Sequence, residues 1–294
     1  MSIFTGSGVA IITPFNEKGI NYDEFKKIID FQLENNTDAI LVCGTTGEPP
    51  TMSEDEKKEA ISFAINYVNG RVPVIAGVGS NDTAHVISLA KFAEDAGADA
   101  LLVVTPYYNK ASQEGMKRHF LAVADALDHT PIIIYNVPGR TGCNILPKTI
   151  AAIADHKNIC GVKESSGSLV QNTELIGLVG DKLDIYSGDD NLTFPLMAIG
   201  AKGVISVAAN VIPREMHEFA TACLEGDMKK GREMHHKYFE LFQALFMDVN
   251  PIPVKTAVNM MGFNAGNFRL PLCRMSEEME AKLHDVLTRY GLIK

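Results

Sequence analysis

Short apolar runs alternate with longer amphipathic stretches along most of this chain, and few architectures accept that alternation. The runs Val9–Ile12, Ala39–Val42, Val74–Gly77, Ala100–Val104, Ile132–Tyr135, Ile159–Lys163, Asp184–Ser187 and Gly203–Ser206 read as strands of a covered parallel sheet. Between them, Tyr22–Glu34, Glu54–Val68, Ala84–Asp95, Gln113–Ala126 and Leu169–Leu178 carry helical patterning. Start and stop signals agree. Ser53-Glu54-Asp55-Glu56 is a capping box, Asn81-Asp82 precedes a helix, and Gly97 is a C-cap signal. Eight strand signals in about 225 residues favour a (β/α)8 TIM barrel, with a doubly wound sheet as the alternative. Against that alternative, no Gly-x-Gly-x-x-Gly follows the first strand, and Gly77-Val-Gly79-Ser lacks the third glycine. Pro213–Leu224, Lys229–Phe246, Pro253–Met261 and Glu277–Tyr290 then read as helices without intervening strands. The expected organisation is a catalytic barrel over residues 1–225 and a C-terminal helical region over residues 226–294, joined without a linker.

Composition narrows the function classes. The chain has 294 residues, 46% of them hydrophobic, which suffices for one large domain. Net charge is −9 and no Lys/Arg-rich stripe occurs, which argues against nucleic acid and anionic membrane surfaces as partners. No apolar stretch reaches the ~18 residues of a membrane span, and the N-terminus lacks a signal-peptide pattern. The 5 cysteines show no Cys-x-x-Cys spacing, as expected of buried thiols in a reducing compartment. A cytoplasmic protein is expected. His-Glu-x-x-His and Gly-x-Ser-x-Gly are both absent. His235-His236 lies in the C-terminal region, where adjacent helical residues point apart. Asp189-Asp190 reads as a helix N-cap rather than a metal ligand pair. Neither metal nor cofactor is expected.

Lys163 is the residue out of place. It ends the run Ile-Cys-Gly-Val-Lys, yet lysine is among the residues least often buried. Desolvation favours the free amine, which is the form that attacks a carbonyl, so the position suits a Schiff-base lysine. A lysine reaching solvent or paired with a carboxylate is the other reading. In a barrel the reacting groups come from the C-terminal ends of the strands, and several further candidates fall there. Thr45 and Thr46 follow the second strand, where Gly44 and Gly47 permit either a plain turn or an anion cradle. Tyr107 and Tyr108 follow the fourth, and Gly188 follows the seventh. Tyr135 closes the fifth and is either a core tyrosine or a proton carrier. Arg140, in Pro-Gly-Arg-Thr-Gly, is either a surface arginine or a fork for a carboxylate. Glu164 is expected to face away from Lys163 and to be structural. Ser166 gives no further sign of a Ser-Lys dyad.

Five segments together make the sequence resemble the dihydrodipicolinate synthase family of pyruvate-dependent aldolases and lyases. They are Gly44-Thr-Thr-Gly-Glu48, Thr105-Pro-Tyr-Tyr-Asn109, Tyr135-Asn-Val-Pro-Gly-Arg-Thr-Gly142, Gly161-Val-Lys-Glu-Ser-Ser166 and Gly203-Val-Ile-Ser206. The resemblance runs from Phe4 to the Leu-Pro-Leu-Cys block at 270–273. It implies that Lys163 condenses with pyruvate and that the resulting enamine attacks L-aspartate 4-semialdehyde. Tyr135 would move protons through Thr46 and Tyr108. The Thr45 and Thr46 amides would hold the pyruvate carboxylate, Arg140 would grip the aldehyde's carboxylate, and Gly188 and the Ile205 carbonyl would lie beside them. Tyr108 would reach a neighbouring subunit, implying a homo-oligomer, usually a dimer of dimers. Arg140 distinguishes this family from N-acetylneuraminate lyase and keto-deoxy-sugar-acid aldolases. Lysine-inhibited members hold the inhibitor's ammonium with a glutamate beside an asparagine and a tyrosine. Asn81 and Tyr107 match, but His85 takes the glutamate's place, with Lys57 and Pro49-Pro50 nearby. Weak or absent inhibition by lysine is therefore expected.

Overall fold

A computed structural model describes residues 2–294, in which eight strands close into one parallel barrel. They are β1 (Gly6–Ala10), β2 (Ala39–Val42), β3 (Val74–Gly77), β4 (Ala100–Val104), β5 (Ile132–Asn136), β6 (Ile159–Glu164), β7 (Asp184–Ser187) and β8 (Gly203–Ser206). Each pairs with its neighbour in sequence, and β8 closes onto β1 with Gly6 opposite Gly203 and Val9 opposite Ser206. The expected bounds hold to within a residue except at β1, which begins three residues before Val9. Ile12 lies past its end, and the Ile12 amide donates instead to Asn210 Oδ1 at 3.1 Å.

The alternation of side chains builds two apolar layers. Ala10, Leu41, Ile75, Leu102, Ile133, Tyr186 and Ile205 fill the barrel interior. Val9, Ile40, Ile132, Val162, Ile185 and Val204 pack outward against the helices. Burying each large aliphatic side chain stabilises the fold by about 1.5–3 kcal/mol, so neither face can be made polar cheaply.

Helices Tyr22–Glu34 and Glu54–Val68 start and end as expected. In the second, Ser53 Oγ accepts from the Glu56 amide at 3.2 Å while Glu56 Oε2 accepts from the Ser53 amide at 2.9 Å. Asp82 caps Thr83–Asp95, and Gly97 beyond it adopts φ 92°, a conformation that glycine takes without strain. Gln113–Asp125 and Leu169–Val179 complete the long outer helices between the strands. Pro147–Ala151 and Thr193–Ala198 are too short for a periodic signal, and sequence patterning missed them.

After β8 the chain is helical, with Pro213–Leu224, Met228–Ala244, Ile252–Met260 and Glu277–Arg289. The segment following Ile252–Met260 returns to the barrel. Ala265 O accepts from the Phe15 amide at 3.0 Å, Glu24 accepts from the Asn264 amide at 2.8 Å, and Arg269 grips both oxygens of Glu56 at 2.6 and 2.7 Å. Among the described residues no helix is long and apolar enough to cross a membrane.

Candidate active site

Lys163 comes from β6, and its direction depends on an irregularity in that strand. Ile132 pairs with Ile159, but Ile133 pairs with Gly161, so Cys160 is an extra residue on the β6 side. With the register shifted, Tyr135 stands opposite Lys163, and Tyr186 of β7 flanks it on the other side. In a regular pairing Tyr135 would face Val162, and Lys163 would point outward. Gly161 fits this bend because a Cβ there would lie 2.7 Å from the Asp184 carbonyl oxygen. The Lys163 ammonium nitrogen lies 4.5 Å from the Tyr135 ring centroid.

Two lysines are buried among the described residues, Lys163 and Lys255, and their surroundings differ. Lys255 Nζ is 2.7 Å from Glu48 Oε1 and 3.1 Å from the Asn267 carbonyl, an ion pair with a hydrogen bond added. Lys163 is 4% exposed and has no carboxylate within ion-pair distance, which removes the solvent-reaching and ion-paired readings. Burial lowers the Lys163 pKa below the ordinary lysine range. Tyr135 and Asp190 act against that shift, and the Arg140 guanidinium reinforces it. That shift favours the free amine, the form of lysine that can attack a carbonyl.

Asp190 is a buried carboxylate that acts on Lys163 and that sequence reasoning read only as part of a helix cap. It accepts from Ser206 Oγ at 2.6 Å and from the Val207 and Ala208 amides at 3.1 and 2.9 Å, tying the end of β7 to the end of β8. Burial pushes its carboxyl up to about 6, and these donors hold it from rising further. Its neighbour Asp189 does cap, accepting from the Asn191 amide at 2.9 Å. The sequence signal for Asp190 was weak, because a cap explained the pair.

A cavity of about 270 Å³ opens beside Tyr135. Thr45, Tyr107, Val137, Arg140 and Thr141 line it, and so do Pro49, Pro50, Lys57 and His85 further out. Thr45 and Thr46 belong to a one-turn helix, Thr45–Gly47, that starts at Gly44. Glu48 follows in a left-handed conformation at φ 58°, which turns its side chain under the loop to Lys255. Arg140 sits on the short helix Pro138–Thr141 and makes no ion pair among the described residues. Its Nη2 donates to the Asn250 carbonyl at 3.0 Å. Gly188 presses on the lysine, since a Cβ there would lie 2.9 Å from Lys163 Cε. Ile205 is buried on β8 in the cluster that holds Tyr135.

Two expected members stand apart. Thr46 is buried, and its Oγ1 accepts from Asn250 Nδ2 at 3.2 Å. No hydrogen bond joins it to Tyr135 among the described residues. Tyr108, at φ 70° and 88% exposed, projects away from the cavity of its own chain, while Tyr107 lines it. Asn250 was missed because it lies in the C-terminal region, about 90 residues beyond Lys163. Lys255 was missed although Ile252-Pro-Val-Lys-Thr-Ala-Val repeats the signal that singled out Lys163, a lysine inside an apolar run.

Glu164 is buried facing away from the lysine, accepting from Asn136 Nδ2 at 3.1 Å and the Ser166 amide at 2.6 Å. All five cysteines are free thiols, but Cys160 is only half-buried and Cys273 is exposed. His235 and His236 do not point apart as expected: their rings meet edge to face with centroids 5.5 Å apart, and His235 also stacks beside Phe194.

The sequence profile of the Dihydrodipicolinate synthetase family matches residues 3–290. The 4-hydroxy-tetrahydrodipicolinate synthase of Thermoanaerobacter sp. (strain X514) is 51% identical over 295 residues, covering 100% of this chain and 99% of the relative. The solved dihydrodipicolinate synthase of Aquifex aeolicus superposes with a TM-score of 0.96 at 49% identity, covering 98% of this chain and 99% of that one. A solved DHDPS from Cyanidioschyzon merolae with lysine bound superposes at 0.96 with 36% identity over 100% of both chains. On sequence and on fold, the chain belongs to the dihydrodipicolinate synthetase family.

Proposed function

We propose that this enzyme, a Schiff-base-forming lyase, condenses pyruvate with L-aspartate 4-semialdehyde in the branch that leads to diaminopimelate and lysine. The observation that carries the reading is the buried, unpaired Lys163 beside Tyr135, with the unpaired Arg140 lining the cavity that Tyr135 also lines. The neutral amine adds to the keto carbon of pyruvate, and loss of water gives the imine. The protonated imine nitrogen draws electrons from the methyl group, which loses a proton and becomes an enamine carbon. That carbon attacks the aldehyde, and the second substrate's own amine then closes the ring and displaces Lys163.

Tyr135 carries protons in this scheme. Thr45 and Thr46 amides hold the pyruvate carboxylate, and Arg140 holds that of the aldehyde by a charge-assisted fork. Gly188 and the Ile205 carbonyl complete the lysine's surroundings. Thr46 and Tyr108 complete the proton relay only in an oligomer, because Tyr108 projects out of its own chain. A dimer of dimers in the cytoplasm is the assembly and place that fit this reading.

Inhibition by lysine is weak or absent. The outer cavity wall offers no Asp or Glu to an ammonium group. The nearby Glu54 is already engaged, with Lys57 Nζ at 2.7 Å and His85 Nε2 at 3.2 Å from the same oxygen. Half-inhibition by sub-millimolar lysine near neutral pH would refute this part. The central test is borohydride reduction in the presence of pyruvate, followed by peptide mapping. The expected result is a pyruvate adduct on Lys163, with turnover when aspartate semialdehyde is supplied and none with N-acetylneuraminate. No adduct, or an adduct on another residue, removes the proposal.

A further inference from the structure

Asn250, from the C-terminal region, reaches into the proposed site directly. It lies between Met228–Ala244 and Ile252–Met260, is 6% exposed, and touches two groups of the proposed site at once. Its side-chain Nδ2 donates to Thr46 Oγ1 at 3.2 Å, and its backbone carbonyl accepts from Arg140 Nη2 at 3.0 Å. Neither contact is local, since Asn250 follows Thr46 by 204 residues and Arg140 by 110.

The polarity of the first contact has a chemical consequence. A threonine hydroxyl has one proton to give and two lone pairs to receive with. Once Asn250 Nδ2 occupies a lone pair, the hydroxyl proton is left for another acceptor. Thr46 Oγ1 has no other hydrogen bond among the described residues, so that acceptor is not elsewhere in the fold. An anion beside the Thr45–Gly47 turn would meet a hydroxyl already oriented to donate. The second contact holds the Arg140 guanidinium through a neutral carbonyl, which leaves its charge uncompensated.

We infer that Asn250 is a positioning residue for the condensation: its amide sets Thr46 as a donor toward the pyruvate carboxylate, and its carbonyl orients Arg140 toward the second substrate. This rests on the reaction proposed above. Because the two contacts use different parts of the residue, side-chain substitution separates them. Asn250→Asp replaces the donor with a charged acceptor. Thr46 must then donate to residue 250, and a negative charge stands near the bound carboxylate. Asn250→Ala removes the contact without reversing it. The backbone carbonyl, and with it the Arg140 contact, survives in both.

The test is a double-mutant cycle on the full chain with Asn250→Asp, Asn250→Ala and Thr46→Val, each alone and with Thr46→Val combined with either. Two quantities are read: the pyruvate concentration that half-saturates borohydride trapping on Lys163, and the KM for aspartate semialdehyde. Asn250→Asp is expected to raise the first by roughly ten- to hundredfold, the scale of a lost charge-assisted hydrogen bond, and Asn250→Ala by less. The KM for the aldehyde changes less in both. In the Thr46→Val background the Asn250 substitutions have little further effect, because the hydroxyl they act through is gone. Additive effects, half-saturation within twofold of the parent, or equal losses for the two Asn250 variants would each overturn the inference. If Asn250→Asp does not fold, the Asn250→Ala arm of the cycle decides by the same criterion. A parent protein that traps no pyruvate at all would instead remove the reaction reading.

Discussion

Replacing Lys255 with methionine should destabilise the protein severely and disturb the site from beneath. Lys255 and Glu48 have fully buried side chains 2.7 Å apart, so removing the ammonium strands a carboxylate in an apolar setting. The aromatic neighbours give it no substitute. Phe15 and Phe268 lie 4.3 and 5.5 Å from the lysine nitrogen, and their faces attract cations, not anions. Glu48 Oε2 has no hydrogen-bond partner even in the intact pair. Breaking a buried pair from one side costs about 3–5 kcal/mol. Pairing Lys255→Met with Glu48→Gln should recover on the order of 2 kcal/mol, since a buried amide costs less than a buried charge. The assay is equilibrium guanidinium unfolding at one fixed protein concentration, with circular dichroism, run at pH 7. Pyruvate trapping should weaken in parallel, because Glu48 anchors the turn that carries Thr45 and Thr46. A deficit below about 1 kcal/mol, or a double variant no more stable than the single, would refute the reasoning.

Lys163→Met should abolish trapping and raise stability at pH 7. The folded lysine has a lowered pKa, so above that value the unfolded chain binds a proton that the folded one lacks. Raising pH therefore favours the folded parent, by at most about 1.4 kcal/mol per pH unit, and the variant's advantage should narrow between pH 7 and pH 9. Unfolding curves that show an equal or growing gap would contradict the assignment. Arg140→Ala should raise the KM for aspartate semialdehyde roughly ten- to hundredfold, the effect of about 1.5–3 kcal/mol, and leave imine formation nearly intact. Equal loss of both steps would argue against its role. Gly188→Ala should displace both the Ser165 and the Lys163 side chains, because the new Cβ would overlap Ser165 Oγ and lie 2.9 Å from Lys163 Cε. Slower imine formation with little change in thermal midpoint is expected, and an unchanged trapping rate would refute the contact.

Periodicity alone determined a good deal. Alternating apolar runs and capped amphipathic helices specify a parallel sheet covered by helices, and the count of eight strands favours the barrel over a doubly wound sheet. The lysine at the end of Ile-Cys-Gly-Val marked itself by its cost, and the rim loops followed from the strand order. The sequence did not show which way that lysine points. An extra residue at Cys160 shifts β6 by one position and turns Lys163 inward beside Tyr135, and strand alternation read along one chain cannot detect a bulge defined by its partner strand. Nor did it show that Lys57 and His85 share Glu54, that Lys255 is consumed by Glu48, or that Asn250 stands between Thr46 and Arg140. Those pairings cross up to about 200 residues of chain. They are fixed only when the barrel closes and the C-terminal helices fold back, since burial and charge compensation depend on neighbours that no local pattern encodes.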